Sequence, residues 1–340
     1  MRILYRNDRK GEYPPSWYAA TADLAPERSP LKGEVRADVA IVGAGFTDLT
    51  AALRLAQKGF RVAVVEAHRV GFGASGRNGG QAGLRFNMYE PDLEKRLGKD
   101  RAKALHDLSF EAIADLKALV AEHAPEARFT PGIAHGAWST SELDELRRYK
   151  DHLETHYGET GLEFCDEAAF RGYCNSPVYK GAILDWEAGH IHPLRYCLGL
   201  ARAAEAAGVT IYEGSEAHQV KAGLVHTGQG RIVADNVLLA GNGYLPNLDR
   251  RYAARVMPIN SFIAATEPLG DLADAVLPRD VAVADEKFVV NYFRLSEDRR
   301  LLFGGRENYG IGFPTDITTK LRQRMLKLFP QLASTRIDYV

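Results

Sequence analysis

The feature that most constrains this 340-residue chain is the segment of residues 38–66. An apolar run, residues 39–42, enters a glycine turn, and a helical apolar pattern then follows until Gly59. A second apolar run, residues 62–65, ends in an acid, Glu66. This is the order of strand, turn, helix, strand and acid that is typical of a dinucleotide-binding βαβ unit. The alternative is an ordinary βαβ crossover, in which the glycines only mark turns.

The glycine turn predicts where a diphosphate binds. Gly43 permits a tight turn, and Gly45 allows backbone N–H groups to approach a diphosphate at the helix N-terminus. Glu66 ends the second strand, where a carboxylate can accept hydrogen bonds from the ribose hydroxyls of an adenosine. The predicted cofactor contacts of the turn are Gly43, Ala44, Gly45, Phe46 and Thr47.

One residue departs from the dinucleotide pattern. The third glycine of the motif normally lets the helix pack closely on the strand, and Asp48 stands in that place. A side chain at this contact is expected to cost roughly 1–3 kcal/mol through overpacking. Its charge is also expected to lie near the diphosphate.

The segment after Glu66 indicates which dinucleotide binds. A nicotinamide enzyme usually continues into another helix and strand, whereas this chain runs through AHRVGFGASGRNGGQ. With this loop the chain resembles the FAD-dependent amine and amino-acid oxidases, the D-amino-acid oxidase and glycine oxidase superfamily. Within it the likeness is greatest to the gamma-glutamylputrescine oxidoreductases. The resemblance implies that FAD is the cofactor and that the loop passes along the flavin. The implied contacts are Ala67, Ser75, Gly76, Arg77, Asn78, Gly79, Gly80 and Gln81.

Three later segments look like the same family in the same order: residues 179–213, 237–246 and 291–305. The resemblance implies an α/β fold, in which an FAD-binding Rossmann-like βαβ domain carries an inserted α+β substrate domain built on an antiparallel sheet. It places Val220 beside the adenine and Gly241 beside the diphosphate. It also implies a further glycine-rich segment and a final helix after Val340, so we expect this chain to be a fragment or a truncated product.

The implied domain division has three parts. Residues 1–35 are polar and punctuated by prolines, and they form an N-terminal arm. The FAD-binding domain is discontinuous and comprises residues 36–83 and 178–253. The substrate domain comprises residues 84–177 and 254–335.

The composition excludes several classes of protein. Hydrophobic residues make up 46% and charged residues 26%, which argues against global disorder. The net charge of −1 offers no basic field for nucleic acid. Since no run of about 18 apolar residues exists, no membrane span is predicted. The three cysteines lack metal spacing, and the histidines form no ligand pattern. We therefore expect a cytoplasmic enzyme that holds no metal.

The chemistry implied by the family needs few catalytic side chains. A flavin takes a hydride from the carbon that bears a neutral amine nitrogen, so the cofactor carries the hard step. Tyr292 and Arg294 alternate on a predicted strand and share one face, where an arginine fork is expected to bind a substrate carboxylate. An arginine paired with Glu297 or Asp298 on the surface is an equally good interpretation. His190 is a weaker candidate for the substrate site, because a structural histidine explains it as well.

The sequence thus predicts an FAD-dependent oxidoreductase that oxidises the CH–NH2 group of an amine such as gamma-glutamylputrescine. The predicted partners are a small-molecule amine and molecular oxygen or another electron acceptor. One alternative is an amino-acid oxidase or dehydrogenase of the glycine or D-amino-acid type. The other is a truncated and catalytically incompetent flavoprotein-like module, which Asp48 and the missing C-terminal pattern would both favour.

Overall fold

The fold is built on two β-sheets. The computed structural model describes residues 3–221, 223–248, 250–310 and 312–340. With strands numbered in chain order, the first sheet contains β1 (Gly33–Val42), β2 (Val62–Val65), β7 (Thr210–Tyr212), β8 (Gln219–Lys221), β9 (Leu224–His226) and β10 (Gly230–Leu239). The second sheet contains β3 (Gln81–Ala82), β4 (Thr130–Ala137), β5 (Leu162–Asp166), β6 (Gly181–His190), β11 (Asn260–Thr266), β12 (Ala282–Asp285), β13 (Tyr292–Leu295), β14 (Leu301–Asn308) and β15 (Ile337–Tyr339).

The helices cover both sheets. They are α1 (Trp17–Thr21), α2 (Phe46–Gln57), α3 (Glu90–Leu97), α4 (Lys99–His123), α5 (Thr140–Tyr157), α6 (Glu167–Phe170), α7 (Pro193–Ala206), α8 (Arg250–Ala253), α9 (Leu272–Val276) and α10 (Thr318–Leu328). Within the described ranges, no helix is long and apolar enough to cross a bilayer.

The first sheet has the strand order β7-β2-β1-β10-β9-β8. β1 runs parallel to β2 and β10, and β2 runs parallel to β7. β1 and β2 read as continuous apolar runs because their side chains are buried on both faces, in one cluster with α2 and α7 and in another with Val225 and Ile232. On the helical face Ile41 and Val64 pack with Leu49 of α2 and Leu200 of α7, all of them fully buried. The predicted βαβ unit is therefore present.

The second sheet has the order β15-β11-β14-β13-β12-β4-β6-β3, and β5 pairs with β6. Its pairings are antiparallel except that β12 runs parallel to β4. One face packs on α9 and α10 around stacked aromatic rings, with Phe293 against Phe303 and Phe329. The opposite face lies against the glycine-rich loop that follows β2 of the first sheet. This confirms a mixed α/β fold with a largely antiparallel second sheet.

One part of the predicted domain division differs from the structure. The sequence assigns residues 178–253 to the FAD-binding domain, but β6 lies in the second sheet between β4 and β3. The chain returns to the first sheet only at α7, where Pro193 occupies the first turn. A strand's apolar pattern shows that it is buried and does not show which sheet it joins, and the domain boundaries stay a prediction.

The N-terminal arm is fixed to the body by two buried aromatic side chains. Trp17 and Tyr18 are each only 4% exposed, and the Trp17 indole donates a hydrogen bond to Asp298 (3.0 Å). Further along the arm, the Arg28 N–H donates to the fully buried carboxylate of Glu213 (2.8 Å). Glu213 also accepts from Val70 N–H (2.8 Å) and from the Arg69 guanidinium (3.0 Å). This carboxylate therefore ties the arm to the segment that follows β2.

We predict that Glu213→Ala lowers the free energy of unfolding by about 3–5 kcal/mol, because it leaves buried cationic and N–H groups without their acceptor. Glu205→Ala is the matched control, since Glu205 pairs with the same Arg28 from a partly exposed position. The control should cost at most about 1 kcal/mol. Urea unfolding followed by tryptophan fluorescence measures both. Equal losses in the two variants would show that Glu213 does not hold the arm.

Candidate cofactor and active site

The glycine turn lies where β1 ends and α2 begins. Gly43 has a φ of 119°, a conformation that residues with a side chain rarely adopt. A Cβ on Gly43 would lie 2.6 Å from Asp48 Oδ1, and a Cβ on Gly45 would lie 2.6 Å from Ser75 Oγ. Both glycines are therefore required by close approach, and the turn has the geometry that the sequence predicts.

Three backbone N–H groups at this turn already have side-chain acceptors. Ala44 N–H donates to Glu66 (2.9 Å), Gly45 N–H to Asp48 (2.8 Å), and Phe46 N–H to Ser75 (3.1 Å). The second oxygen of Glu66 accepts from His68 N–H (2.8 Å). The donors that suit a diphosphate are thus held in place by oxygens of the chain itself.

Two carboxyl groups at the turn have strongly shifted pKa values. Burial raises the pKa of Asp48 to about 7, and its hydrogen bond from Gly45 N–H only partly offsets that rise. Burial also raises the pKa of Glu66 to about 7, and the nearby Asp48 carboxyl adds to this rise. At neutral pH the turn therefore holds fewer than two full negative charges.

A cleft opens at the carboxyl ends of β1 and β2, the place where α/β sheets bind nucleotides. Its free volume is about 80 Å³. Four predicted cofactor residues line it: Gly43, Glu66, Ala67 and Gly241. Gly241 reaches the turn because the preceding residue, Ala240, bonds through its N–H to the Val42 carbonyl (3.1 Å). Val220 of β8 packs instead on the core between the first sheet and its hairpins, so its contact with adenine stays a prediction.

The arm also contributes to the cleft through Leu4, which the sequence analysis did not identify. His68 holds the arm there. Its Nδ1 accepts from Gly11 N–H (3.2 Å), so its Nε2 carries the proton and donates to the Leu4 carbonyl (3.1 Å). Burial lowers the pKa of His68, which agrees with a neutral ring. Residues 3–5 form a short apolar run within the otherwise polar arm, and this run was the available sequence signal for the contact.

The glycine-rich loop leads from the turn to the second sheet. Asn78 fixes its shape by accepting from Gly80 N–H (2.7 Å) and donating to the carbonyls of Ala74 and Ser75 (3.0 Å each). At its end the Gln81 side chain donates to the Val283 carbonyl of β12 (3.0 Å). Arg77 points to the cleft side, where it contacts Asp8 and the Tyr244 hydroxyl. The loop therefore connects the nucleotide cleft with the second sheet.

Tyr292 and Arg294 share one face of β13, as predicted, but Arg294 is not an open anchor. Its guanidinium is 5% exposed and donates to the carbonyls of Gly79 (2.8 Å) and Ile191 (2.9 Å). It also donates to the Leu295 carbonyl and to the Tyr18 hydroxyl. These contacts favour a structural role, and the role of Arg294 as a substrate-carboxylate anchor stays a prediction. The alternation of residues along β13 identifies the face on which Arg294 lies. Only the tertiary structure shows that the glycine-rich loop covers this face.

The other two substrate candidates also lie beside the loop. The Tyr292 ring packs over Gly79 and Gly304, where a Cβ would approach ring carbons to 2.8 and 2.1 Å, and its hydroxyl lies 3.3 Å from Ser261 Oγ. His190 pairs in register with Gln81, but its ring is 4% exposed and its Nε2 lies 3.3 Å from Asp280. Burial lowers the pKa of His190. The geometry therefore favours a structural histidine and leaves Tyr292 as the candidate that can face a ligand.

These residues fit a flavin dinucleotide. The cleft offers a carboxylate for a ribose, the turn offers backbone N–H groups, and the loop continues to a wall of β-strands. Only Asp48 adds a feature that such a site does not require.

Comparison with known proteins agrees with this site. The family model described as FAD dependent oxidoreductase, DAO, matches residues 38–340. The chain therefore belongs to the DAO family of FAD-dependent oxidoreductases, and its cofactor is FAD.

Among curated proteins, the chain is 40% identical to Probable oxidoreductase OrdL of Rhizobium meliloti (strain 1021), with 95% of this chain and 76% of that protein covered. It is 38% identical to gamma-glutamylputrescine oxidoreductase of Escherichia coli (strain K12), with 96% and 78% covered.

Among solved structures, glycine oxidase from Geobacillus kaustophilus superposes with a TM-score of 0.70 at 21% identity, covering 90% of this chain and 80% of that chain. L-proline dehydrogenase from P. horikoshii gives 0.69 at 17% identity, covering 92% and 80%. At these identities the superpositions show a shared fold.

We predict that Arg294→Ala lowers both the melting temperature and the FAD content. The substitution leaves the Gly79 and Ile191 carbonyls without a donor, at a cost of about 1–3 kcal/mol for each buried group. Arg299→Ala serves as control, because Arg299 is exposed and its partners among the described residues are the surface residue Asp274 and the Gly270 carbonyl. Differential scanning fluorimetry and flavin absorbance per chain provide the two readouts. An Arg294→Ala protein with normal stability and flavin content would restore the role of substrate anchor.

Proposed function

We propose that this chain is an FAD-dependent amine oxidoreductase that acts on the CH–NH2 group of a primary amine such as gamma-glutamylputrescine. The observation that carries the proposal is the 38% identity over 96% of the chain to gamma-glutamylputrescine oxidoreductase. The reaction converts the amine, water and molecular oxygen into an aldehyde, ammonia and hydrogen peroxide. We propose oxygen as the electron acceptor, because with oxygen the reaction balances without a second redox partner.

The chain's own residues would bind and orient the cofactor. Glu66 would accept hydrogen bonds from the ribose, and Phe46 would offer its N–H group to the diphosphate, in place of the Ser75 oxygen that it now contacts. Leu4, held by His68, would cover the adenosine end. Bound FAD supplies the acceptor for a hydride from the carbon beside the amine nitrogen.

The wall formed by β13 and β14 would shape the substrate side. Arg294 holds the glycine loop against this wall, so the loop cannot shift when a substrate enters. Tyr292 and Ser261 present hydroxyl groups from the same face. An amine in such a site must lose its proton first, since a lysine-like ammonium has a pKa of about 10. Exclusion of water favours the neutral amine, because burial disfavours the charged form.

We predict that Glu66→Ala weakens FAD binding by at least about tenfold, because it removes charge-assisted hydrogen bonds worth about 1.5–3 kcal/mol each. Glu34→Ala is the control, since Glu34 lies at the opposite end of β1 and pairs with Arg231 on the surface. Quenching of flavin fluorescence gives the dissociation constants. A parallel titration with NAD tests the choice of dinucleotide, and binding of NAD without FAD would contradict the assignment.

The substrate class is tested by anaerobic bleaching of the bound flavin in the full chain. Gamma-glutamylputrescine and primary amines of similar length should bleach it, and oxygen should restore the colour with release of hydrogen peroxide. Bleaching by glycine or D-alanine alone would establish the amino-acid oxidase alternative. Flavin that binds but is reduced by none of these compounds would establish a catalytically incompetent module.

A further inference from the structure

Asp48 places a carboxyl group directly over the turn where the diphosphate would bind. It is the third residue of α2, and its Oδ2 accepts from Gly45 N–H at 2.8 Å. The residue is only 2% exposed, yet Oδ1 has no hydrogen-bond partner among the described residues. This Oδ1 lies 2.6 Å from the position of a Cβ on Gly43, so it fills the space above the turn.

The surroundings of Asp48 do not compensate a negative charge with a cation. The ionisable groups that face it are Glu66 at the end of β2 and the Cys197 thiol on α7, and Glu213 lies beyond Glu66. Burial raises the pKa of Cys197 well above its usual range, so that thiol is neutral. Among the described residues, the groups that shift the pKa of Asp48 include no basic side chain. The helix N-terminus and the Gly45 N–H are its main stabilising partners.

An incoming diphosphate competes for the same stabilisation. A helix N-terminus stabilises a bound anion, and in this chain the Asp48 carboxylate already takes that place. The diphosphate brings two further negative charges into a poorly solvated turn, where repulsion between like charges is stronger than in water. A proton on Asp48 removes that repulsion. Oδ1 is the oxygen free to carry it, and the resulting O–H can donate to a diphosphate oxygen while Oδ2 keeps its bond from Gly45.

We propose that FAD binding to this chain is coupled to the uptake of one proton by Asp48, on Oδ1. This inference rests on FAD as the cofactor and does not depend on the amine substrate. The raised pKa of Asp48, about 7, agrees with it, since the free protein already binds this proton near neutral pH. Because the complex holds more protons than the free chain, FAD affinity must fall as pH rises.

The expected pH profile follows from the uptake of a proton on binding. Below about pH 7 this proton is already bound and Asp48 adds no pH dependence, whereas above about pH 7 the association constant falls by up to about tenfold per pH unit. The experiment measures FAD dissociation constants of the full chain by flavin fluorescence from about pH 6 to about pH 9 at constant ionic strength. Asp48→Asn keeps the shape without the titration, and Asp48→Gly removes the side chain.

Above about pH 8, where Glu66 is already ionised, both variants should show a flat profile, and at the highest pH they should bind FAD at least about tenfold more tightly than the wild type. Glu66→Gln tests the neighbouring carboxyl, whose pKa is similarly raised: it should bind FAD more weakly at every pH but keep the wild-type fall in affinity above about pH 8. Calorimetry of the wild type in two buffers of different ionisation enthalpy counts the protons directly. About one proton taken up per FAD at about pH 8, and none in Asp48→Asn, is the expected result.

Several results would overturn the proposal. A flat wild-type profile, or the same slope in Asp48→Asn, would show that Asp48 does not titrate on binding. Loss of the slope in Glu66→Gln alone would place the proton on Glu66. Failure of the wild type to bind FAD even at the lowest pH would contradict both the inference and the assigned cofactor. None of these results depends on amine oxidation, so failure of the proposed substrate is distinguished from failure of this inference.

Discussion

The contact on which the rest of the site depends is the one between Arg294 and the glycine-rich loop. One buried guanidinium bonds to the carbonyls of Gly79 and Ile191 and to the Tyr18 hydroxyl. It thereby joins the second sheet, the loop after the nucleotide turn and the N-terminal arm. A planar fork with several donors suits this task, whereas a lysine would offer a single point charge. Since the carbonyl groups are buried, removing the fork would cost more than the hydrogen bonds themselves contribute.

Close packing around this contact requires glycine at positions 79 and 80 of the loop. A Cβ on Gly80 would lie 2.2 Å from the Ile191 carbonyl oxygen and 2.9 Å from the Arg294 guanidinium. At Gly79 the Tyr292 ring occupies the same kind of space. A loop that was merely flexible would not need to be packed so closely. The pattern GRNGG therefore reflects the close packing of the loop backbone against the second sheet. Asn78 supplies side-chain hydrogen bonds to the loop backbone, which glycines cannot provide.

The sequence predicted the parts of this molecule that depend on neighbours in the chain. The apolar runs became β1, β2 and β10, and Gly43, Glu66, Ala67 and Gly241 line one cleft. It failed where partners are distant. It did not show that β6 joins the second sheet, because the pattern of a strand carries no information on which strands it pairs with. The partner of Arg294 lies more than two hundred residues away, so ordinary reasoning about nearby Glu297 and Asp298 could not find it.

The cofactor cleft is assembled from separate stretches of chain, and this links its formation to the arm. Leu4 comes from the arm, Gly43 from the turn, Glu66 from the second strand and Gly241 from the end of β10. His68 follows the ribose acid by two residues and bonds to the arm with both ring nitrogens. A ligand that contacts all four stretches binds only the folded, closed arrangement, so its binding energy adds to the stability of that arrangement by mass action. The His68 N–H also donates to the Glu66 carboxylate, so the ribose acid is directly bonded to the residue that holds the arm.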